Sequence, residues 1–516
     1  MTRTITPAAL RAHWTQGHEI ALIDLREEGP FADGHPLFAL TIPVSELEVA
    51  LPPLVPRRTT PVVVYDDGEG YAERAVPRIN ALGYTDVAIL EGGLTAYARE
   101  GEVYIDVNVP SKAFGELVES IRHTPSLPAE EVKKIIDGER DVVVLDARRY
   151  EEYNTMSIPR GQSVPGGELV YRINDIAPSP DTLVVVNCAG RTRSIIGTQS
   201  LINAGIPNRV VALRNGTIGW TLAGLSVETS ATARASDPTE EGRAQARANA
   251  SRWADHVGVP VVDAPTVEAW RAEEDRTLYL LDVRTPEEHA AGHPPGFVSA
   301  PGGQLVQATD EWLGVRGART VLFDDDGVRA RMAASWLRQM GWDVAVLRDA
   351  AGLSPVDPAP QWQAAVETVA TVEGATVADL ARHAVYRKGH IPGAWFVSGP
   401  ELARDIASLP GDGPIVLTSP DGRVAAANLA EARAATTRPV HVLAGGTAGW
   451  TGTLSTDLHE ASAPIDAYKR PYEGTDNARE KMQAYIDWEL GLVAQLANDG
   501  ISRFHVVRAG PARGGA

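Results

Sequence analysis

The sequence predicts an α/β protein made of four copies of one domain, followed by a C-terminal helical extension. Three observations support this prediction: sequence markers recur at constant offsets, short β-branched runs suit buried parallel strands, and these runs alternate with stretches of helical periodicity. Such alternation is typical of βαβ units, in which helices cover both faces of a parallel sheet. The chain of 516 residues is long enough for about three to four ordinary domains.

Four markers define the repeat. They are an apolar run ending in Asp-x-Arg, a turn containing Gly-His, a hydrophobic run leading into a polar loop, and an apolar run closing on a Gly-rich turn. The third marker reads VVVYDDGEG, VVVNCAGRTRS, VLFDDDGVR and IVLTSPDGR in the four copies. Asp24 and Asp146 are 122 residues apart, and so are Asp66 and Cys188. A register that is kept across several markers indicates internal duplication.

The predicted domains cover residues 1–110, 125–230, 258–355 and 370–455, and the extension covers 465–516. Segments rich in Pro, Ser or charge are predicted to be linkers: Ser111–Pro128, Glu228–Arg243 and Ser354–Trp362. Helices are predicted within Glu241–Trp253 and within Asn477–Leu496. The second of these is amphipathic, and we interpret it as a packing or dimerisation helix without a site of its own. The tail RAGPARGGA is expected to fray.

Composition excludes several functional classes. The chain has 67 acidic and 48 basic residues, a formal charge of −19, which argues against binding to nucleic acid or to an anionic membrane. No apolar stretch is long enough for a membrane helix, and the N-terminus lacks the apolar core of a secretory signal, so we expect a cytoplasmic protein. Cys188 is the only cysteine, which rules out an internal disulfide and a multi-cysteine metal site.

Cys188 is the strongest candidate for a reactive group. It follows a predicted strand and precedes a tight loop and a predicted helix, so the thiol is expected at the carboxyl edge of a parallel sheet, facing a helix N-terminus. The loop amides, the helix dipole and the charges of Arg191 and Arg193 are expected to lower the pKa of the thiol. We therefore interpret Cys188 as a nucleophile. The loop has Cys-x4-Arg spacing, one residue shorter than in cysteine phosphatases, and a ring of that size fits one extra sulfur atom.

The CAGRTRS loop, the Asp-x-Arg runs, the GHIPGA turn at Gly389–Ala394 and the closing Gly-rich turns resemble those of tandem rhodaneses, over about residues 5–453. The resemblance implies four rhodanese-like domains and a sulfurtransferase activity without cofactor or metal. It implies that Cys188 takes the outer sulfur of thiosulfate or a similar small anionic donor as a persulfide. Cyanide, a thiol or an acceptor protein then removes that sulfur. Such a two-step covalent transfer needs an activated nucleophile and a stabilised leaving group.

The resemblance also assigns roles to residues of the second domain. Four loop residues are expected to stabilise the persulfide: Ala189, Gly190, Thr192 and Ser194. Three basic side chains are expected to bind the donor: Arg148, Arg191 and Arg193. For Arg148 a structural salt bridge with the Asp of its own Asp-x-Arg run is at least as good an interpretation.

The other three copies have lost the cysteine. They carry Asp66, Asp324 and Ser419 at the position of Cys188. An aspartate cannot form a persulfide and repels an anionic donor, and a serine lacks the nucleophilicity of a thiolate. We expect these domains to be inactive and to serve as scaffold, as docking sites for a sulfur acceptor, or as surfaces of a homo-oligomer. Two alternatives remain open for the whole chain: a non-enzymatic persulfide carrier or sulfur-relay scaffold, and a cysteine phosphatase-like enzyme.

Overall fold

The computed structural model of the chain describes residues 3–138, 141–357, 361–466 and 468–508. These residues form four five-stranded parallel sheets flanked by helices, which confirms the predicted fourfold α/β repeat. Contacts group them into two compact units. One unit holds most of the first domain together with the fourth, and the other holds the second and third domains with the C-terminal segment.

The first domain has the strand order β1-β5-β4-β2-β3. Its strands are β1 (Thr4–Ile5), β2 (Ala21–Asp24), β3 (Ala39–Thr41), β4 (Val62–Tyr65) and β5 (Val87–Leu90). Its helices are α1 (Pro7–Gln16), α2 (Glu28–Asp33), α3 (Leu47–Leu54), α4 (Tyr71–Ala81) and α5 (Gly93–Tyr97). The central strands β2 and β4 are wholly buried, as expected for a parallel sheet covered on both faces.

The second domain repeats this order as β6-β10-β9-β7-β8. Its strands are β6 (Ser126–Leu127), β7 (Val142–Asp146), β8 (Gly161–Ser163), β9 (Leu183–Asn187) and β10 (Val210–Leu213). The helices before and within it are α6 (Val109–Arg122), α7 (Ala129–Asp137), α8 (Tyr150–Thr155), α9 (Leu169–Ile176), α10 (Thr192–Ala204) and α11 (Gly216–Leu222). The helix α12 (Glu240–Val257) then leads to the third domain and confirms the helix predicted within Glu241–Trp253.

The third domain has the order β11-β15-β14-β12-β13. Its strands are β11 (Val261–Val262), β12 (Leu278–Asp282), β13 (Val298–Ser299), β14 (Arg319–Phe323) and β15 (Asp343–Leu347). Its helices are α13 (Ala264–Arg271), α14 (Pro286–Ala291), α15 (Gly302–Gln307) and α16 (Arg329–Gln339).

The fourth domain has the order β16-β20-β19-β17-β18. Its strands are β16 (Thr368–Val369), β17 (Thr376–Asp379), β18 (Trp395–Phe396), β19 (Ile415–Thr418) and β20 (Val440–Leu443). Its helices are α17 (His383–Tyr386), α18 (Leu402–Ser408), α19 (Arg423–Ala427) and α20 (Leu429–Ala434). The described residues also form four short 3-10 turns: Val44–Glu46, Gly166–Glu168, Thr309–Glu311 and Thr447–Gly449.

The C-terminal helix α21 (Arg479–Asp499) confirms the amphipathic helix predicted there. It packs against α6 and α11. The frayed tail predicted after it lies, from residue 509 onwards, outside the described residues. Within the described ranges, no helix is both long and apolar enough to cross a membrane.

The predicted linker Ser111–Pro128 is mostly helical. Most of Ser111–Pro128 is the largely buried helix α6, which packs against α10 as well as α21. Its Pro110 lies in the first turn, where a missing N–H has no intrahelical partner to lose, so the proline does not break the helix. Gly115 allows the close approach to α10, since a Cβ there would lie 2.8 Å from Thr192 Cγ2. Of the predicted linker Ser354–Trp362, residues 358–360 lie outside the described residues.

Candidate active site

The chain positions Cys188 at the end of β9, as predicted. Cys188 follows the last residue of that strand, and the loop Cys188–Ser194, hereafter the Cys188 loop, runs into α10 at Thr192. The side chain is only 1 % exposed. It nevertheless lines a cavity of about 530 Å³, hereafter the Cys188 cavity. Glu151 and Glu473 also line this cavity and are exposed, so the cavity reaches the protein surface.

The closing Gly-rich turn of the domain holds the Cys188 loop in place. The Cys188 carbonyl accepts the Thr217 amide at 2.9 Å, and the Ala189 carbonyl accepts the Ile218 amide at 3.0 Å. Gly216 has φ +54°, and a Cβ there would collide with the Cys188 carbonyl oxygen. The closing Gly-rich turn, which is the fourth sequence marker, therefore fixes the position of Cys188, which belongs to the third marker.

The Cys188 thiol and the Ser194 side chain belong to one small hydrogen-bond network. The Cys188 thiol donates to Ser194 Oγ at 3.4 Å, and that hydroxyl donates to the Arg191 carbonyl at 2.9 Å. Burial raises the pKa of the Cys188 thiol, whereas the Arg193 charge and the side-chain and backbone hydrogen bonds of Ser194 lower it, and the charge of Glu489 raises it. The net shift is upward, so the predicted lowering of the pKa is wrong for this resting site. The sequence reveals the two arginines but neither the burial nor the carboxylates that neutralise them.

Both predicted arginines of the loop line the cavity, and both are held by carboxylates. Arg191 forms two hydrogen bonds with Glu116 on α6, at 2.7 and 2.8 Å, and a third with Asn215 at 3.0 Å. Arg193 forms two with Glu152 on α8, at 2.7 and 2.8 Å. Their positive charges thus face the cavity as halves of ion pairs.

Arg148 does not line the Cys188 cavity. Its side chain is 1 % exposed, and its guanidinium binds both oxygens of Asp146, at 2.8 and 2.7 Å, and the Met156 carbonyl at 2.5 Å. The same geometry recurs at Arg26 and Arg284 in domains without a cysteine. Arg148 thus forms the structural salt bridge that was its alternative interpretation, and its expected contact with the donor stays a prediction.

The Asp-x-Arg pair still reaches the active loop indirectly. Asp146 Oδ2 accepts a hydrogen bond at 3.0 Å from Nδ2 of Asn187, the residue that precedes Cys188. Asn187 is fully buried. Arg148 and Asp146 thus help to orient the start of the loop, which is a positioning role.

Two helices outside the sheet contribute residues that the sequence did not reveal as part of the site. The helix α6 brings Lys112 to the cavity, and α21 brings Tyr485 and Glu489. The Lys112 ammonium lies 5.2 to 5.6 Å from three ring centroids, those of Tyr472, Tyr485 and Trp488. The prediction that α21 has no site of its own is therefore wrong. One signal was available: a charged residue at 489 interrupts the apolar face formed by Met482, Ile486 and Leu496.

The three loops without cysteine have the same length as the Cys188 loop and close on themselves. In each, the amide six residues later donates to the side chain at the cysteine position: Ala72 to Asp66 at 2.9 Å, Ala330 to Asp324 at 2.9 Å and Ala425 to Ser419 at 3.2 Å. Ser194 occupies the matching place in the Cys188 loop. Across the described part of the chain, no group of His, Cys, Asp and Glu side chains is arranged to hold a metal ion.

Comparison with known proteins agrees with this architecture. The chain matches the rhodanese-like domain family over residues 6–100, 128–223, 264–350 and 364–453. It is 25 % identical over 229 residues to a thiosulfate sulfurtransferase of Azotobacter vinelandii, a match that covers 37 % of this chain and 83 % of that protein. A thiosulfate sulfurtransferase of Pseudomonas aeruginosa is 25 % identical over 215 residues, covering 34 % and 79 %. The crystal structure of a thiosulfate sulfurtransferase from Pseudomonas aeruginosa is 51 % identical, with a TM-score of 0.94, and covers 98 % of this chain and 100 % of that one.

Proposed function

The chain belongs to the rhodanese-like domain family, and on that premise we propose that it is a thiosulfate sulfurtransferase that works through a persulfide on Cys188. One observation supports this above the others. The single cysteine of the chain stands at the head of a loop of backbone donors and lines a cavity that reaches the surface. A persulfide needs a sulfur that a donor can reach and hydrogen-bond donors for the added sulfur, and the place of Cys188 on this cavity at the start of the loop supports both.

The proposed reaction has two half-reactions. The Cys188 thiolate attacks the outer sulfur of thiosulfate, a new S–S bond forms on the enzyme, and sulfite leaves with the electron pair of the broken bond. The amides of the Cys188 loop stabilise the negative persulfide: Ala189, Gly190, Thr192 and Ser194. Cyanide or a thiol then attacks the outer sulfur and returns Cys188 to the thiolate.

The arginines act in this scheme through their charge. Arg191 and Arg193 offer guanidinium groups to an anionic donor, and their partners Glu116 and Glu152 hold them in fixed positions. A preorganised cation costs little reorganisation when the leaving sulfite gains charge. Arg148 has no contact with the donor in this scheme and acts through Asp146.

We also propose that the other three domains do not transfer sulfur. In their loops the side chains of Asp66, Asp324 and Ser419 accept the amides that would face a persulfide. Their role is structural or lies in docking a sulfur acceptor.

Two measurements test the proposal. Incubation with thiosulfate, followed by intact mass and peptide mapping, should show one added sulfur atom on the peptide that contains Cys188. Steady-state formation of thiocyanate from thiosulfate and cyanide should be lost in Cys188→Ser and retained in Ser419→Ala, the matched change in the fourth domain. A stable persulfide without turnover would favour a passive sulfur carrier, and hydrolysis of para-nitrophenyl phosphate would favour a phosphatase.

A further inference from the structure

A buried carboxyl group faces the Cys188 loop from the C-terminal helix. Glu489 on α21 is fully buried. The Tyr485 hydroxyl donates to its Oε1 at 2.8 Å, while its Oε2 has no hydrogen-bond partner among the described residues. A buried polar atom without a partner is costly, so it is kept where a function requires it.

The unpartnered oxygen lies against the loop that would hold the persulfide. A Cβ on Gly190 would lie 3.2 Å from Glu489 Oε2 and 3.1 Å from Tyr485 Cε1, so the glycine leaves room for this carboxyl. Glu489, Gly190 and Cys188 all line the Cys188 cavity. A sulfur donor in that cavity would meet the carboxyl and the thiol together.

The groups around Glu489 set its proton affinity. Burial and the charge of Glu116 on α6 together raise the pKa of Glu489, whose net value is about 8. Lys112 on the same helix, the Tyr485 hydroxyl on α21 and Arg191 of the loop lower it. A group with a pKa close to neutral can both give and take a proton, which is what general acid–base catalysis needs.

We propose that Glu489 carries the proton in both half-reactions at Cys188, as the acid that protonates the departing sulfite and as the base that deprotonates an accepting thiol. This inference rests on the proposed function. In the first half-reaction the Cys188 thiolate, thiosulfate and the neutral carboxyl give the anionic persulfide, bisulfite and the carboxylate. In the second, the persulfide, a neutral thiol and the carboxylate give the Cys188 thiolate, a new anionic persulfide on the acceptor and the neutral carboxyl. Atoms and charge balance over the cycle.

The arrangement also explains how a buried thiol can ionise. The negative charge of Glu489 is one of the causes that raise the pKa of Cys188. When Glu489 is protonated this repulsion disappears, and the thiolate forms more easily. Before attack the pair therefore holds a single negative charge, on the sulfur, and after sulfite leaves the loop amides stabilise the charge of the persulfide beside the carboxylate.

The test uses the full chain and the matched variants Glu489→Gln and Glu480→Gln, since Glu480 is an exposed glutamate on the same helix. Single-turnover sulfur loading of Cys188 from thiosulfate, quenched and measured by intact mass, should slow about 100-fold in Glu489→Gln and stay unchanged in Glu480→Gln. In the unmodified protein the rate should rise with pH only up to about 8 and then level off in an alkaline limb, because loss of the acid offsets the gain in thiolate. Glu489→Gln should lack this limb and keep rising.

A third variant keeps the inference testable if Glu489→Gln does not fold. Tyr485→Phe removes the hydrogen bond that lowers the pKa of Glu489, so the alkaline limb should move to higher pH with the limb still present. Loading of Glu489→Gln at the rate and with the pH profile of the unmodified protein would overturn the inference and leave the proposed function intact. An unmodified protein that gains no sulfur on Cys188 would overturn both.

Discussion

The second and third domains contain the same loop, but its first residue is Cys188 in the second domain and Asp324 in the third. The ion pair Arg193–Glu152 of the second domain recurs in the third as Arg329–Glu288, again with two hydrogen bonds, at 2.6 and 3.0 Å. Because the third domain has no cysteine, this pair is part of the scaffold and not a mark of activity. The residues that surround the cysteine position can therefore be present in a domain that has no cysteine there.

What differs is the group that fills the ring of amides. In the third domain, Asp324 Oδ2 accepts the amides of Val328 and Ala330, both at 2.9 Å. Burial and the neighbouring Asp326 together raise the pKa of Asp324 to about 7. In the second domain the thiol of Cys188 places no carboxylate in the ring. The comparison shows that amides of this loop bind an internal carboxylate in the third domain, whereas the thiol of the second domain supplies none.

Exchanging Cys188 and Asp324, the first residues of the two loops, should have the largest effect on thiocyanate formation. Cys188→Asp should bring thiocyanate formation down to the rate without enzyme, because the carboxylate fills the ring and cannot carry sulfur. Circular dichroism should stay unchanged, since two other domains tolerate an aspartate there. Adding Asp324→Cys should leave activity at least about 100-fold below the original, because Asp325 and Asp326 repel an anionic donor. Recovery above a tenth of the original rate would show that the first residue of the loop alone decides whether a domain transfers sulfur.

The sequence reveals the repeat and Cys188 because both are encoded locally. Short valine-rich strands, tight loops and helices follow one another in each copy, so the carboxyl end of β9 and its cysteine can be located without knowledge of tertiary contacts. The same reasoning did not reveal the contacts of Arg148, and it was wrong about the pKa of Cys188. Their surroundings depend on partners that are distant in sequence or on burial, and an isolated motif contains neither.

The C-terminal helix shows the same limit more clearly. Its amphipathic pattern predicts that one face packs, and it does. Which surface it packs on cannot be read from the pattern, since about 300 residues separate Glu489 from Cys188. The sequence therefore points to Cys188 as the candidate nucleophile but does not reveal the groups of α6 and α21 that line its cavity.

The second prediction compares Asp146 with Asp379, the matching residue of the fourth domain. Asp146 is paired with Arg148, whereas Asp379 faces Ala381 at that place and accepts only its amide, at 2.8 Å. Asp146→Asn leaves a buried guanidinium unpaired and should cost about 3–5 kcal/mol. Asp379→Asn should instead stabilise the fourth domain at neutral pH by about 2 kcal/mol. Hydrogen exchange of the peptides from each domain measures both changes.

The effect at Asp379 should depend on pH in a defined direction. Burial raises the pKa of Asp379 to about 6, against roughly 4 in an unfolded chain. The folded state therefore favours the neutral form, whose benefit is complete below about pH 4 and lost as the pH rises through about 6. The gain from Asp379→Asn should accordingly appear above pH 6 and vanish below pH 4. A gain that is equal at both pH values would contradict this account.

The third prediction concerns the glycine that locks the Cys188 loop. Gly216→Ala combines a strained positive φ with a collision against the Cys188 carbonyl, and it should cost about 3 kcal/mol. Sulfur transfer should fall at least about tenfold, because the thiol moves out of position. Gly224→Ala is the matched control, since it also has a positive φ, +77°, but open space around it. That variant should cost about 1 kcal/mol and keep full activity. Equal losses of activity in Gly216→Ala and Gly224→Ala would show that backbone strain in the domain limits the rate, and not the close contact of Gly216 with the Cys188 carbonyl.

The smallest effect should come from the shared ion pair. Burial opposes ionisation of Glu152, but Arg193 outweighs it and lowers the pKa to about 2, and Arg329 does the same for Glu288. Each pair should therefore stabilise the fold fully above about pH 4.3 and lose that contribution as the pH falls towards about 2. Both glutamates are about one-third exposed, so the contribution should stay below about 1 kcal/mol.

Glutamine variants distinguish the effect of this ion pair in the second domain from its effect in the third. Glu152→Gln and Glu288→Gln should flatten the acid side of the stability profile by similar amounts, as measured by thermal unfolding between pH 5 and pH 3. Only Glu152→Gln removes a negative partner from an arginine that lines the Cys188 cavity, and it should lower KM for thiosulfate about threefold, the equivalent of less than 1 kcal/mol. Glu288→Gln should leave KM unchanged. A rise of KM in Glu152→Gln would mean that the carboxylate is needed to hold Arg193 towards the donor, so that the same pair does different work in the two domains.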